Sequence, residues 1–213
     1  NEQVGGNLHI AKSRNDQVAT AIRMKLRQEL LHIIDQILKL QEIYLTKSTN
    51  HYTTIIPGYT HLQPAQPITY AHYLLACIDV LERNVHRIQE LYSRVNYCPM
   101  GAGALATTSF SINRQRVATL LGFPSILENS LDAVGSRDFI LETLSMLTLL
   151  ANDLSRFVED LILWSSFNFN ILELPDAFTS TSSIMPQKKN PDVLEVIRSR
   201  TSMILGNFVS VAS

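Results

Sequence analysis

One uninterrupted segment, Asp16–Thr49, constrains the fold most, because it contains neither proline nor glycine. Apolar residues recur along it at alternating spacings of four and three, which is the heptad pattern of a packed helix. This first stripe consists of Leu26, Leu30, Ile33, Ile37, Leu40 and Tyr44. A second stripe beside it consists of Leu31, Ile34, Leu38 and Leu45. The segment therefore predicts a long helix that packs on more than one neighbour, as in a bundle of long helices.

The same kind of periodicity predicts further helices along the rest of the chain. They are Ile68–Val95, Ile112–Leu121, Ser136–Ser166 and a last helix with Pro191 at its first position. Ser136–Ser166 is apolar on nearly every side, which predicts a central place in the bundle. The predicted loops are Tyr52–Pro67, Asn96–Ser109 and Phe167–Asn190. No pair of strands is predicted, so the expected fold class is all-α.

The composition fits a globular protein whose main partner is not a nucleic acid. Apolar residues make up 46% of the 213 residues, and the formal net charge is -1. Such a chain can bury a core, whereas nucleic-acid binding requires clustered Lys and Arg. Cys77 and Cys98 are too few for a disulfide framework, so we expect a reducing, cytoplasmic location. The first residues are too polar for a secretory leader, and no apolar run reaches the length of a membrane span.

Two polar segments stand at predicted helix starts and are candidate anion-binding sites. Ser13–Asn15 precedes the first long helix, and Lys188–Asn190 precedes the helix that begins at Pro191. Backbone N–H groups and the helix dipole favour an anion at such a position. Asn15 or Asp16 is also expected to cap the first helix. Together the two segments indicate a substrate with several carboxylates.

A histidine in a proline-stiffened segment is the candidate for proton transfer. His61 lies in "PGYTHLQPAQP", and its side chain is the one whose reference pKa is nearest neutrality. Thr60 beside it offers a hydroxyl that can hold a carboxylate. By contrast, "GAGALA" at Gly101–Ala106 matches a dinucleotide-binding pattern without the strand that such a site requires, so a flexible loop is the better interpretation. The six histidines show no metal-binding spacing, and neither metal nor cofactor is expected.

Several motifs, in one order along the chain, carry a resemblance to a known family. "SSIMPQKKNPD" at Ser182–Asp192 is similar to the signature loop of the fumarase/aspartase superfamily. "HIAKSRNDQ" at His9–Gln17 and "PGYTHLQPAQP" at Pro57–Pro67 resemble, more narrowly, the argininosuccinate lyase family, to which delta-crystallin is related. "LDAVGSRDF" and "LSRFVEDLILW" fit the same family. The resemblance extends over nearly the whole chain.

The resemblance implies a homotetramer with a core of long helices and active sites shared between subunits. It implies that residues 1–15 are the tail of an N-terminal domain and that residues 16–213 form the central helical domain. A C-terminal domain would then lie beyond them, and the chain is expected to be a piece of a longer protein. The implied reaction is the reversible elimination of argininosuccinate to arginine and fumarate, which belongs to arginine biosynthesis.

The resemblance also assigns roles to individual residues. Ser182 matches the proposed general base, His61 an acid or orienting group, and Glu195 the carboxylate paired with that histidine. Lys188 and Asn190 would stabilise charge that develops on a substrate carboxylate. The remaining positions match substrate contacts, namely Ser13, Arg14, Asn15, Thr60 and Arg137. Thr181 stands where the family usually has glycine, which predicts a stiffer loop.

Two other interpretations remain open from the sequence. The first is a sister lyase of the superfamily, acting on adenylosuccinate, fumarate or aspartate. The second is a non-catalytic structural protein of the delta-crystallin type. The segments "SRNDQ" and "QKKNPD" favour argininosuccinate over the sister substrates. Retention of Ser182, His61, Lys188 and Glu195 favours an enzyme over a purely structural protein.

Overall fold

The computed structural model describes residues 5–213, and helices make up most of this part of the chain. Its α-helices are α1 Arg14–Asn50, α2 Tyr70–Val95, α3 Arg114–Leu120, α4 Ser130–Gly135, α5 Asp138–Ser165 and α6 Asp192–Ala212. Its strands are β1 Ile55–Thr60, β2 Gln63–Thr69, β3 Tyr97–Cys98, β4 Ser125–Ile126, β5 Ser180–Thr181 and β6 Lys189–Asn190. Short 3-10 helices occupy Gly6–His9 and Asp176–Phe178. The expected all-α class is confirmed.

The strands form three separate two-stranded pairs. β1 and β2 are antiparallel, as are β5 and β6, whereas β3 and β4 are parallel. Such small pairs are not stable alone and depend on the helices against which they pack.

The described chain divides into two compact units, and each unit is assembled from two separated segments. The first unit contains the residues up to Gln36 together with His86–Glu142. The second unit contains Ile37–Val85 together with Thr143–Ser213. The three long helices contribute residues to both units, because α1, α2 and α5 each include a boundary.

In the first unit, a buried arginine on α1 donates hydrogen bonds to backbone carbonyls at the end of α2. Arg23 is almost fully buried, and its Nη1 donates to the carbonyls of Arg94 and Val95 at 3.1 and 3.0 Å. These carbonyls lack partners within α2, since they belong to its last turn. The guanidinium also lies 4.0 Å from the ring centroid of Phe139, a cation–π distance. Burial lowers the pKa of Arg23, an effect that the nearby Asp138 opposes.

Two small apolar clusters complete the first unit. Cys98, Ala118 and Phe123 form one of them, where the end of α3 meets β3. Ala102, Ala133 and Val134 form the other, which packs α4 against the loop that follows β3. α3 ends as the sequence predicts, because Gly122 adopts a φ of 72°, a left-handed conformation that glycine accepts without strain.

In the second unit, hydrogen bonds link the helices along their lengths. Gln41 Nε2 of α1 donates to the Ile78 carbonyl of α2 at 3.3 Å. Asn84 Nδ2 of α2 donates to Asp153 Oδ2 of α5 at 2.9 Å. α6 joins the bundle through an ion pair between Arg198 and Glu159. The second unit is therefore a bundle of helices, as the heptad pattern of α1 predicts.

A buried asparagine interrupts the apolar seam of α2. Asn84 has no exposed surface, and it occupies a position three residues after Leu81 and four before Ile88. A polar residue at one such position helps to fix the register of neighbouring helices, because a shift would break its bond to the neighbouring helix. Asp153 is the partner that defines the register here.

Three expectations about secondary structure require correction. Tyr52–Pro67 was expected to be a loop, but much of it forms the β1–β2 hairpin. The other predicted loops also contain short strands, namely β3 in Asn96–Ser109 and β5 and β6 in Phe167–Asn190. Pro191 is the N-cap of α6 and not its first helical residue, a difference within the usual uncertainty of helix ends. Within a single chain α5 is only partly enclosed: Phe139, Leu150 and Phe157 are buried, whereas Leu149 is exposed.

Among residues 5–213, no helix has both the length and the apolar character required to cross a membrane.

Candidate functional site

The predicted substrate-binding residues at the start of α1 lie in a reciprocal capping arrangement. Ser13 Oγ accepts the Asn15 N–H at 3.2 Å, and Asp16 Oδ1 accepts the Ser13 N–H at 3.0 Å. In this variant of a capping box, the Asp16 side chain satisfies the N–H of the residue before the helix, and the Ser13 hydroxyl satisfies the N–H of the second helical residue. Ser13 is therefore the cap, and the expectation that Asn15 or Asp16 would fill this role is wrong.

The second oxygen of the Asp16 carboxylate binds the glycine-rich loop. Asp16 Oδ2 accepts the N–H groups of Gly101 and Gly103 at 3.1 and 2.9 Å. Asp16 is fully buried, so its charge is compensated by backbone donors and not by water. Asn15 Nδ2 donates to the Ala104 carbonyl of the same loop at 3.0 Å. The segment "GAGALA" is thus neither a dinucleotide site nor merely a flexible loop: it binds the start of α1.

The same loop also contacts the element that leads to Arg137. Ser130 Oγ of α4 donates to the Leu105 carbonyl at 2.8 Å. Arg137 follows α4 by two residues, and its Nη1 donates to the carbonyls of Val134 and Ser136 at 2.9 and 2.7 Å. The first unit therefore groups Ser13, Arg14, Asn15 and Arg137 on elements that contact residues 101–105.

In the second unit, His61 lies at the tip of the β1–β2 hairpin. Thr60 pairs with Gln63, so His61 and Leu62 are the two residues of the turn. Their φ angles are 53° and 59°, as in the two-residue turn that suits the twist of a hairpin. Residues other than glycine adopt this conformation at a cost of about 1–3 kcal/mol each, and strain of this kind is concentrated at functional sites. The exposed His61 ring is consequently presented to solvent from a stiff support.

The hairpin tolerates its prolines because it is an isolated pair of strands. Pro57 faces Pro67 across the hairpin, and the register shifts between Pro57 and Tyr59. Both strands are edges, where a missing backbone N–H leaves few ladder bonds unmade. Gly58 lies in the irregular part, and a Cβ there would stand 2.7 Å from the Gln66 carbonyl oxygen. Glycine is therefore required at this position.

The signature loop is closed at its base by a short ladder, and the predicted base and its lysine both adjoin this ladder. Thr181 of β5 pairs with Lys189 of β6. Ser182 and Lys188 are the next residues beyond the ladder, one on each strand's side of the loop. Ser182 is half-buried, whereas Lys188 is exposed. Thr181, which replaces the usual glycine, belongs to the ladder, where a β-branched residue is favourable.

The two lysines of this loop, Lys188 and Lys189, contact different residues. Lys188 Nζ donates to Asn190 Oδ1, which unites two of the predicted site residues. Lys189 Nζ forms ion pairs with Asp176 Oδ1 at 2.6 Å and Glu173 Oε1 at 3.0 Å. These two acceptors raise the pKa of Lys189, Asp176 first. A cavity of about 630 Å³ lies here, and both lysines line it.

Glu195 lies in the first turn of α6, and its N–H donates to the Pro191 carbonyl at 3.0 Å. Its side chain is exposed, as is that of His61. Within the described part of this chain, neither a hydrogen bond nor an ion pair joins these two side chains. The pairing implied by the resemblance therefore stays a prediction.

A second cavity, of about 350 Å³, lies between the hairpin and the helices of the second unit. Thr60, Tyr73, Asp160 and Trp164 are among its lining residues. Tyr73 OH donates to Asp160 Oδ2 at 2.9 Å, while desolvation raises the pKa of Asp160. Burial raises the pKa of the neighbouring Cys77 to about 11, so its thiol is protonated at neutral pH and is a poor nucleophile.

Residues 1–206 match the protein family described as Lyase. The chain belongs to the lyase family.

Three relatives illustrate the range of this lyase family. The argininosuccinate lyase of Methanosarcina barkeri is 51% identical over 210 residues, which cover 99% of this chain and 43% of that protein. A variant of EDDS lyase with bound fumarate is 40% identical with a TM-score of 0.94, over 97% of this chain and 41% of that one. The class II fumarase of Schistosoma mansoni is 22% identical with a TM-score of 0.84, over 96% and 48% of the two chains. The chain thus spans less than half the length of these relatives.

These similarities confirm the family resemblance that the motifs indicate, and with it the helical fold of the fumarase/aspartase type. The fumarase match supports the fold alone. In this lyase-family chain, sequence reasoning missed the part played by Asp16. A detectable signal was present, because Ser13-x-x-Asp16 fits a capping box and "GAG" supplies close backbone donors. The sequence contained no comparable signal for the ion pairs of Lys189.

Proposed function

We propose that the protein carrying this chain is an argininosuccinate lyase, which reversibly eliminates fumarate from argininosuccinate and releases arginine. The observation that carries the proposal is the ladder between β5 and β6, since Ser182 directly follows β5 and Lys188 directly precedes β6. The 51% identity to the Methanosarcina barkeri enzyme supports the same substrate. The reaction belongs to arginine biosynthesis, and a cytoplasmic location is part of the proposal.

The chemistry begins with removal of a proton from the carbon beside a substrate carboxylate. The electron pair left on that carbon spreads into the carboxylate, which becomes an aci form with two negative charges. Lys188 and Asn190, immediately before α6, supply a cation and an amide for this charge. The C–N bond then breaks, a C=C bond forms, and an acid protonates the guanidino nitrogen that leaves. The products are fumarate and arginine.

Ser182 is the proposed base, and its loop makes that role feasible. A serine hydroxyl is a weak base in water, so its alkoxide requires a nearby cation and the exclusion of solvent. Lys188 adjoins the same ladder from the other strand, and closure of the loop over the substrate would remove water. His61 is the proposed acid or orienting group, with Glu195 as its partner. Ser13, Arg14, Asn15, Thr60 and Arg137 are the proposed substrate contacts.

The proposed protein is a homotetramer in which each active site combines residues of different subunits. Residues 16–213 would form its central helical domain. One observation supports this arrangement: three leucines of the second stripe of α1 are exposed in a single chain. Leu31, Leu38 and Leu45, at intervals of seven residues, are each 50–56% exposed. A repeat of seven on an exposed helix face is typical of packing against another long helix.

A direct assay tests the substrate. Fumarate release is followed by ultraviolet absorbance after the intact protein is given argininosuccinate or, separately, adenylosuccinate. We expect release from argininosuccinate alone. Release from adenylosuccinate alone would identify a sister lyase instead. If neither substrate releases fumarate, a structural role of the delta-crystallin type would be favoured.

A further inference from the structure

We propose that Asp16 is a positioning residue for the substrate, acting through Ser13 and Asn15 on one side and through the Gly101–Gly103 backbone on the other. The inference rests on the proposed function, because it takes Ser13 and Asn15 as substrate contacts. Asp16 itself is fully buried and lies behind the proposed contact surface.

The carboxylate acts as a bridge because its two oxygens have different partners. Oδ1 accepts the Ser13 N–H within the helix start, and Oδ2 accepts the N–H groups of Gly101 and Gly103 from the distant loop. An ordinary helix cap needs only the first of these contacts. Two charge-assisted bonds from the loop therefore fix the first turn of α1 against residues 101–103, while the third orders the helix start itself.

The backbone conformation of the loop positions the N–H groups of Gly101 and Gly103. Gly101 and Gly103 have φ angles of 88° and 67°, in the left-handed region that favours glycine. A Cβ on Gly103 would stand 2.5 Å from the Thr107 carbonyl oxygen, so this conformation admits no other residue without displacement. This backbone conformation turns both N–H groups toward one buried oxygen.

The loop also holds the other members of the group. Asn15 Nδ2 donates to the Ala104 carbonyl, and Ser130 of α4 donates to the Leu105 carbonyl. Arg137 lies just beyond α4. Residues 101–105 thus form a template on which the first unit arranges its proposed substrate contacts, and Asp16 is the charged link between that template and α1.

Asp16→Asn in the intact protein tests the inference. One amide group cannot accept all three N–H bonds, because its nitrogen is a donor. We expect the KM for argininosuccinate to rise about tenfold with kcat within about threefold of wild type, the pattern of weakened binding without a changed chemical step. Hydrogen exchange at the amides of Ser13, Gly101 and Gly103 should accelerate as well. The matched control is Asn113→Ala, which removes the cap of α3 in the same unit and should leave KM unchanged.

The outcomes separate this inference from the proposed function. Faster exchange with an unchanged KM would overturn a positioning role and leave the lyase proposal intact. If Asp16→Asn does not fold, Gly103→Ala disturbs the same contact from the loop side. A third experiment uses the wild-type protein alone. Fumarate binding should slow hydrogen exchange at the amides of Ser13, Gly101 and Gly103. An unchanged exchange rate would overturn the inference. Wild type that binds fumarate but does not act on argininosuccinate would reject the proposed substrate only.

Discussion

At the scale of single residues, the chemistry depends on a serine hydroxyl whose surroundings decide its basicity. Ser182 and Ser183 are neighbours of identical chemistry, but only Ser182 directly follows the ladder position that pairs with Lys189. Ser182 is also half-buried, whereas Ser183 is exposed. A cation beside the loop such as Lys188 favours the alkoxide of Ser182, whereas partial removal from water alone disfavours it, so the cation must outweigh the lost solvation.

Ser182→Ala should reduce kcat by about a thousandfold, within the range that general acid–base groups contribute. The fold should be unaffected, since the side chain lies in a loop. Ser183→Ala is the matched control and should retain nearly full activity. Kinetics and thermal melting of both variants provide the test. Substantial turnover by Ser182→Ala would exclude this serine as the base and direct attention to His61.

Asp160 gives rise to a pH dependence of stability whose sign follows from its raised pKa. A carboxyl group with a higher pKa in the folded state stabilises the fold below its unfolded pKa, about 3.9, and this contribution is lost as pH rises through the folded pKa. The ionised group is therefore unfavourable at neutral pH, despite the bond from Tyr73.

Asp160→Asn should accordingly raise the free energy of unfolding at pH 7, since an amide oxygen can still accept the Tyr73 hydroxyl. The gain should shrink toward zero near pH 4, where wild-type Asp160 also becomes neutral. Urea unfolding of both proteins across this pH range measures the difference. A constant difference at every pH would show that charge is not its cause.

At the scale of elements, the long helices could be predicted from the sequence to within two residues at each end. The predicted Asp16–Thr49, Ile68–Val95 and Ser136–Ser166 correspond to α1, α2 and α5. Such helices follow from a periodic pattern of apolar residues, and this pattern is visible in the local sequence. The β1–β2 hairpin was missed because its turn is His-Leu and not Asn-Gly, and because its prolines are typical of loops.

The candidate site was predictable only in part, for a related reason. Motif similarity identified candidates such as Ser182 and Lys188. The ladder beside them could not be predicted, because its strands are only two residues long. The contact of Asp16 with Gly101 spans 85 residues of sequence. Contacts at such separations leave no local periodicity, so only the folded structure reveals them.

Leu150→Asp should unfold the α5 region and prevent assembly, because Leu150 is 7% exposed. An unpaired carboxylate buried there costs several kcal/mol. Leu149→Asp is the control, since Leu149 is 47% exposed and its helix can place the charge in water. Circular dichroism reports helix content and light scattering reports mass. Normal helicity and mass for Leu150→Asp would contradict the assignment of this position to the core.

At the scale of the whole molecule, a single chain leaves much apolar helix surface uncovered. The second stripe of α1 is one example, and α6 is another: Val196, Met203 and Val209 are each more than half exposed. Exposed apolar area of this extent usually marks a surface for association. The proposed homotetramer would cover it.

Leu38→Glu should therefore lower the mass of the assembled protein while leaving helix content unchanged. A charge at the middle of the stripe opposes burial against a second helix. Gln36→Glu adds the same charge at an exposed position on another side of α1 and should not alter the mass. Sedimentation velocity distinguishes the two. Equal masses for both variants would show that this stripe does not take part in assembly.

The division of the chain into interleaved segments has a consequence for its synthesis on the ribosome. The first unit needs residues up to Glu142, yet the intervening Ile37–Val85 belongs to the second unit. At about 5–20 residues per second, translation of that insert takes several seconds. During this interval the part of α1 up to Gln36 lacks its first-unit partners from His86–Glu142. Nascent chains of this protein should therefore depend on chaperones that shield a single amphipathic helix until the distant segments emerge.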